Sequence, residues 1–147
     1  MVTATGRGFS VIELLAALAI VGILAAIAIP AWNRFLSFFA LSNSARLVHS
    51  ELQSIRIRAA AENASFRLAY AAGATNIEVQ RDSKTFAIKP LSDGVSIAKA
   101  GSITFSPRGT ASGNRVRLAS QEGLCQQVVV SPTGRVRTCK AGCGSEC

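Results

Sequence analysis

Acidic residues are scarce in this chain, and histidine, tryptophan, tyrosine and methionine occur once each. Eight acids stand against sixteen lysines and arginines, a formal net charge of +8 at pH 7. With His49 as the only imidazole and no acid or thiol spaced to partner it, His49 reads as a solvated helix residue rather than a catalytic base. No Gly-rich phosphate loop, no metal-spaced His/Asp set and no nucleophile–base pair is present, so the chain reads as neither an enzyme nor a cofactor or metal carrier. Cysteine is missing until Cys125, after which four occur before the chain ends. Charge is also missing from Leu14 through Trp32. That uncharged run is long enough to cross a hydrocarbon core of ~30 Å as a helix.

One acid, Glu13, sits just ahead of the run among Val11, Ile12, Leu14 and Leu15. A lone carboxylate in apolar sequence is costly in lipid unless something neutralises it. A secretory signal peptide requires cleavage after the run, and Pro30-Ala31-Trp32 offers no small-x-small site. A plain single-pass anchor explains the length but not Glu13. Cleavage between Gly8 and Phe9 explains both: it creates an α-amine at Phe9, and the Glu13 carboxylate can pair with that amine on a neighbouring subunit in an apolar filament core.

Gly8-Phe9-Ser10-Val11-Ile12-Glu13-Leu14 resembles the class III signal of type IV pilins and type II secretion pseudopilins. The resemblance implies a prepilin peptidase that cuts after Gly8 and N-methylates Phe9. It also implies an inner-membrane, single-pass precursor with a periplasmic C-terminal domain, extracted by an inner-membrane assembly platform into a filament of other pilins or pseudopilins. On this reading residues 1–8 are the leader, 9–32 the transmembrane and filament-core helix, 33–62 an amphipathic spine, 63–140 a β-rich periplasmic domain and 141–147 a Cys/Gly-rich tail.

Periodicity supports that division. Phe38, Leu41, Ala45, Val48, Leu52, Ile55 and Ala59 recur at spacings of three and four, one apolar stripe, with Ser42, Arg46, His49, Gln53 and Arg56 off it. The pattern predicts one helix from about Ser10 to about Glu62, loosened at Pro30 and stopped at Asn63. Beyond it the period becomes two, in seven or eight short segments separated by Gly, Pro, Asp and Asn turns. The fold class expected is α+β: a long helix packed on an antiparallel β-sheet domain, as in type IV pilins.

The order of parts, with Ile103-Thr104-Phe105-Ser106-Pro107-Arg108-Gly109 and a closing run from Val128 to Arg137, is similar to the GspH/FimT family of minor pilins. Two functions divide that family. FimT-like members of type IV pili include proteins that bind DNA for natural transformation through a C-terminal Gly-Arg-x-Arg motif, matched here by Gly134-Arg135-Val136-Arg137. GspH-like members belong to type II secretion pseudopili and have no DNA role. In a strand, Arg135 and Arg137 share a face about 7 Å apart, a spacing suited to adjacent phosphates, with Val136 turned inward. Lys140 extends the row, and Arg115 and Arg117 form a second pair on a segment that could lie nearby. Alternating arginines that merely keep an exposed strand soluble are the competing explanation. Without flanking aromatics, contacts to phosphate give binding without sequence readout.

Cys125 and Cys139 lie symmetrically about the Ser131-Pro132-Thr133 turn, so a hairpin centred there would bring them face to face, leaving Cys143 and Cys147 to pair in the tail. Four cysteines allow three connectivities. A zinc site from the same thiols is the other possibility, although the spacing lacks the usual two-residue knuckle.

Overall fold

The computed structural model describes residues 10–139. Gly8, Phe9, Lys140, Cys143 and Cys147, named above as candidate site residues, lie outside them. A single helix, α1 (Val11–Ala61), is followed by eight strands. The chain divides into two compact units, one ending at Phe35 and the other beginning at Leu36.

In the first unit Ser10 accepts the amide N–H groups of Glu13 and Leu14 and so opens the helix. Its large apolar side chains, from Val11 and Ile12 to Ile29, are all exposed. A helix apolar all round that buries nothing of itself has the composition of a membrane span. Trp32 and Phe35 stack at 6.1 Å beside Arg34, the aromatic-plus-basic pairing that favours a membrane–water boundary.

In the second unit the expected stripe is the core. Leu41, Ala45, Val48, Leu52, Ile55 and Ala59 are each at most 2% exposed. Phe38, placed on the same stripe by spacing, is instead 47% exposed. It lies one turn before the buried part of the stripe begins. The helix ends as the sequence indicates: Asn63 adopts a left-handed φ of 47° and the Ala64 N–H reaches back to the Ala59 carbonyl. This is a Schellman closure with asparagine in the usual glycine position.

The strands are β1 (Phe66–Tyr70), β2 (Asn76–Arg81), β3 (Lys84–Pro90), β4 (Val95–Ile97), β5 (Gly101–Phe105), β6 (Asn114–Ser120), β7 (Cys125–Val130) and β8 (Val136–Cys139). They form not one sheet but two, each of four antiparallel strands, ordered β3-β2-β1-β5 and β4-β6-β7-β8. Alternation delivers one apolar face from each: Phe66, Leu68, Ile77, Val79, Ile103 and Phe105 from the first, and Val95, Ile97, Val116, Leu118, Val128 and Val130 from the second. Both faces join the helix stripe in one cluster. β2 and β3 are linked by Asp82-Ser83, both at positive φ, the two-residue hairpin turn that matches strand twist.

The sheets are tied together where β5 passes into β6. Thr104 and Ser112 exchange hydrogen bonds, the Asn114 side-chain amide donates to the Ser102 carbonyl, and Phe105 bridges Ala111. Tyr70 adds a clamp across the gap, its hydroxyl donating to the Arg115 carbonyl at 3.1 Å. Gly101 lies so close beneath that ring that a Cβ there would stand 2.8 Å from the hydroxyl oxygen.

Burial pushes the Tyr70 phenol from its ordinary 10 up to about 12. The neutral form is the one the fold accommodates, so the contribution is intact below pH 10 and is lost as pH rises toward 12, a loss on the order of 2 kcal/mol. Tyr70 is the only tyrosine. Absorbance titration of tyrosinate should therefore show a native midpoint near 12 that falls to about 10 on denaturation. A native midpoint at 10 would mean that the clamp is open in solution.

Candidate functional site

Two places in the fold carry residues singled out from the sequence. The first is the start of α1. Glu13 sits exposed in its first turn, where the positive end of the helix dipole favours a carboxylate.

The second is the outer face of the β4-β6-β7-β8 sheet. Val116, Leu118, Val128 and Val130 point inward, so the intervening residues point out. The register sets Arg115 opposite Val129 and Val129 opposite Arg137, and likewise Arg117 opposite Gln127 and Gln127 opposite Cys139. Residues directly opposite in a ladder share a face, so Arg115, Arg117 and Arg137 lie on one surface, the first and last about 10 Å apart across two pairings. The two Arg-x-Arg segments read separately from the sequence thus occupy one sheet face. Arg135 and Arg137 are exposed, and Arg115 and Arg117 are half-buried.

Arg135 precedes β8 rather than opening it. Its N–H donates to the Ser131 hydroxyl and its carbonyl accepts from the Ser131 N–H, while that hydroxyl also meets Thr133 at 2.8 Å. Both backbone groups of Arg135 are therefore held by one residue across the turn. Val136 is half-buried against the core, as the alternation requires.

Charge is distributed unevenly between the two sheets. Among the described residues the ion pairs are Arg81 with Glu62 and Asp82, and Lys89 with Glu51, all on the helix and the β3-β2-β1-β5 sheet. The outward positions of β6, β7 and β8 include no acid.

Gly134 has a second duty that the sequence did not reveal. Its φ is 78°, and a Cβ there would stand 2.2 Å from the Gly109 carbonyl oxygen and 3.1 Å from Arg56 Nε. The turn at 131–134 is docked on the loop at 106–113: Ala111 N–H donates to the Pro132 carbonyl, and a Cβ on Gly113 would meet the Pro132 ring at 3.1 Å. Arg56 lies off the apolar stripe, and Pro107-Arg108-Gly109 reads locally as a turn. Their approach to Gly134 depends on tertiary closure that no local pattern encodes.

Cys125 and Cys139 are both disulfide-bonded. The direct facing expected from turn symmetry is not what the ladder gives, since Cys139 stands opposite Gln127. The two-residue offset makes Cys125 and Cys139 diagonal neighbours, about 7–8 Å apart at Cα, at the far edge of bridging range.

A family model described as type II transport protein GspH matches residues 44–134, and one described as the prokaryotic N-terminal methylation motif matches residues 5–29. No curated protein sequence matches this chain. The fold is similar to that of the type IV minor pilin FimU of Pseudomonas aeruginosa strain PAO1 in two crystal forms. One has TM-score 0.53 and 15% identity, covering 67% of this chain and 91% of FimU. The other has TM-score 0.52 and 13% identity, covering 70% and 90%. At such identity the likeness is one of fold.

The packing at Gly134 makes a prediction independent of any ligand. Gly134→Ala should cost about 2–5 kcal/mol, the left-handed backbone and the backbone clash together. Gly123→Ala, at φ 75° with nothing within 4 Å, should cost only the backbone part, about 1–2 kcal/mol. Equal denaturation midpoints for the two variants would contradict the docking of the turn on Gly109.

Proposed function

The chain belongs to the family of the type II transport protein GspH, and from that premise we propose that it is a minor pilin of a type IV pilus that holds DNA by its phosphates during uptake. Its precursor sits in the inner membrane by the α1 span, with the β domain in the periplasm. Prepilin peptidase removes residues 1–8 and methylates Phe9, and the assembly platform lifts the helix into the filament. There Glu13 neutralises the α-amine of a neighbouring subunit. The low dielectric makes that pairing selective, because an unmatched carboxylate is expelled from an apolar core.

The DNA reading rests on one observation above the others: the ladder register that sets Arg115 and Arg137 on one face with Arg117, beside the exposed Arg135. Solubility alone does not require the cations of two separate segments to converge on a face whose outward strand positions include no acid. Guanidinium groups suit phosphate oxygens by charge and by paired N–H geometry. The second reading, a pseudopilin of a type II secretion system with no DNA role, draws on the description of the matching family.

Two measurements bear on these roles. Glu13→Ala should be inserted and processed yet enter filaments poorly, and quantifying the subunit in sheared filaments against the membrane fraction checks this; normal incorporation would remove the charge pair from the account. For DNA, the full-length protein in uncharged detergent should bind duplexes of unrelated sequence equally, with log K falling against log salt by about 0.9 per phosphate contact. Arg135→Gln with Arg137→Gln should make that slope shallower by about 1.8. No binding at low salt would leave the secretion reading in place.

A further inference from the structure

The β6 arginines do more than widen the basic row. Arg115 and Arg117 form one wall of a hollow of about 390 Å³, completed by Lys99, Ala100 and Asn114. Among the described residues its lining holds three cations and no acid. Two other hollows on the domain are different, since one sets Asp82 beside Arg67 and the other includes Glu78.

The walls are held by backbone contacts. The Arg115 carbonyl accepts from the Tyr70 hydroxyl, and the Arg117 carbonyl accepts from the Ala98 N–H at 2.8 Å. Alternate residues of β6 are thus tethered from two different elements, and the second tether also fixes the segment that carries Lys99. Asn114 is used up internally: its amide donates to Ser102 and its oxygen accepts the Arg115 N–H. It shapes the hollow rather than offering a free donor. Among the described residues Arg117 Nε is buried without a hydrogen-bond partner, a guanidinium donor left to be satisfied.

We infer that the Lys99–Arg115–Arg117 hollow is a phosphodiester subsite, the second point at which a nucleic-acid backbone is held. This deepens the DNA reading above and rests on it. The hollow borders β6 on the β4 side, whereas Arg137 is on β8 and Arg135 immediately precedes it, two strands further across the sheet. From the β4 side to β8 is three interstrand spacings, about 14 Å, so a strand touching both points crosses the sheet instead of following the 131–135 turn. Lysine supplies a mobile point charge and arginine a fixed fork, a combination suited to a phosphate that must be caught and then oriented.

The test uses the full-length chain in uncharged detergent. Lys99→Gln with Arg117→Gln should make the log K against log salt slope for duplex DNA shallower by about 1.8, and adding Arg135→Gln and Arg137→Gln should remove about as much again. Arg117→Lys should keep most of the slope. As a control for bulk charge, Arg67→Gln with Lys84→Gln, two cations on the other sheet, should leave it nearly unchanged. If the Lys99/Arg117 variant keeps the wild-type slope while the Arg135/Arg137 variant loses its share, the subsite is wrong and the DNA reading stands. If the control pair lowers the slope equally, the subsite is wrong because only net charge acts. If the wild type binds no DNA, inorganic phosphate decides: amide shifts confined to residues 98–101 and 114–117 would keep the anion site and reject its nucleic-acid occupant, and their absence would reject both. Binding to vesicles of anionic phospholipid that depends on Lys99 and Arg117, without DNA binding, would assign the hollow to a lipid headgroup and overturn the inference.

Discussion

The contact on which the domain depends is the burial of one helical stripe between two sheets. Leu41, Ala45, Val48, Leu52, Ile55 and Ala59 supply the inner surface that neither four-stranded sheet could cover alone. Fully burying a leucine or isoleucine stabilises by about 1.5–3 kcal/mol, and an isolated sheet of this size would leave a comparable face wet. With the inner faces committed to that stripe, charge is carried on the outer faces, and that of the second sheet is partly covered, since Gln127 between Arg117 and Cys139 is fully buried. The same helix has a different task before Phe35, where exposed apolar side chains surround it and a membrane or filament must take the place of the core.

Much of this was legible in the sequence because the relevant signals are local. The change of period from three-and-four to two marks the end of α1, and Asn63 marks the turn because asparagine tolerates the left-handed backbone. All eight strands fall on alternating segments bounded by turn residues. What could not be read is how strands are shared between sheets. Alternation states that a strand has an inner face, not which neighbour it pairs with, and the division after β5 depends on contacts such as Thr104 with Ser112 and Tyr70 with Arg115. Phe38 failed for a related reason. Periodicity assigns a side but cannot say where along the helix the covering sheet begins.

Register explains the uneven success at the basic site. Arg115 and Arg117 were noticed for their spacing, but only the ladder brings them onto the face of Arg137. The cysteines show the reverse: a symmetric count about the turn suggested facing partners, and the hairpin pairs Ser131 with Arg135 so that its arms run two residues out of that symmetry. Lys99 was invisible because nothing in the sequence around it signals that the Ala98 N–H will pin its segment to β6.

The Gly134-Arg135-Val136-Arg137 motif separates into parts with different physical reasons. Gly134 is accounted for by packing, since a side chain would collide with Gly109 and Arg56 whether or not a ligand ever binds. Val136 is accounted for by the core. Neither explanation extends to Arg135 and Arg137, whose side chains are exposed. Packing thus fixes the direction in which the two arginines project and leaves their charge unexplained by stability. A rigid turn presenting cations at a set spacing lowers the ordering cost of gripping a polyanion, which is the use a phosphate-binding surface has for a glycine that it does not itself contact.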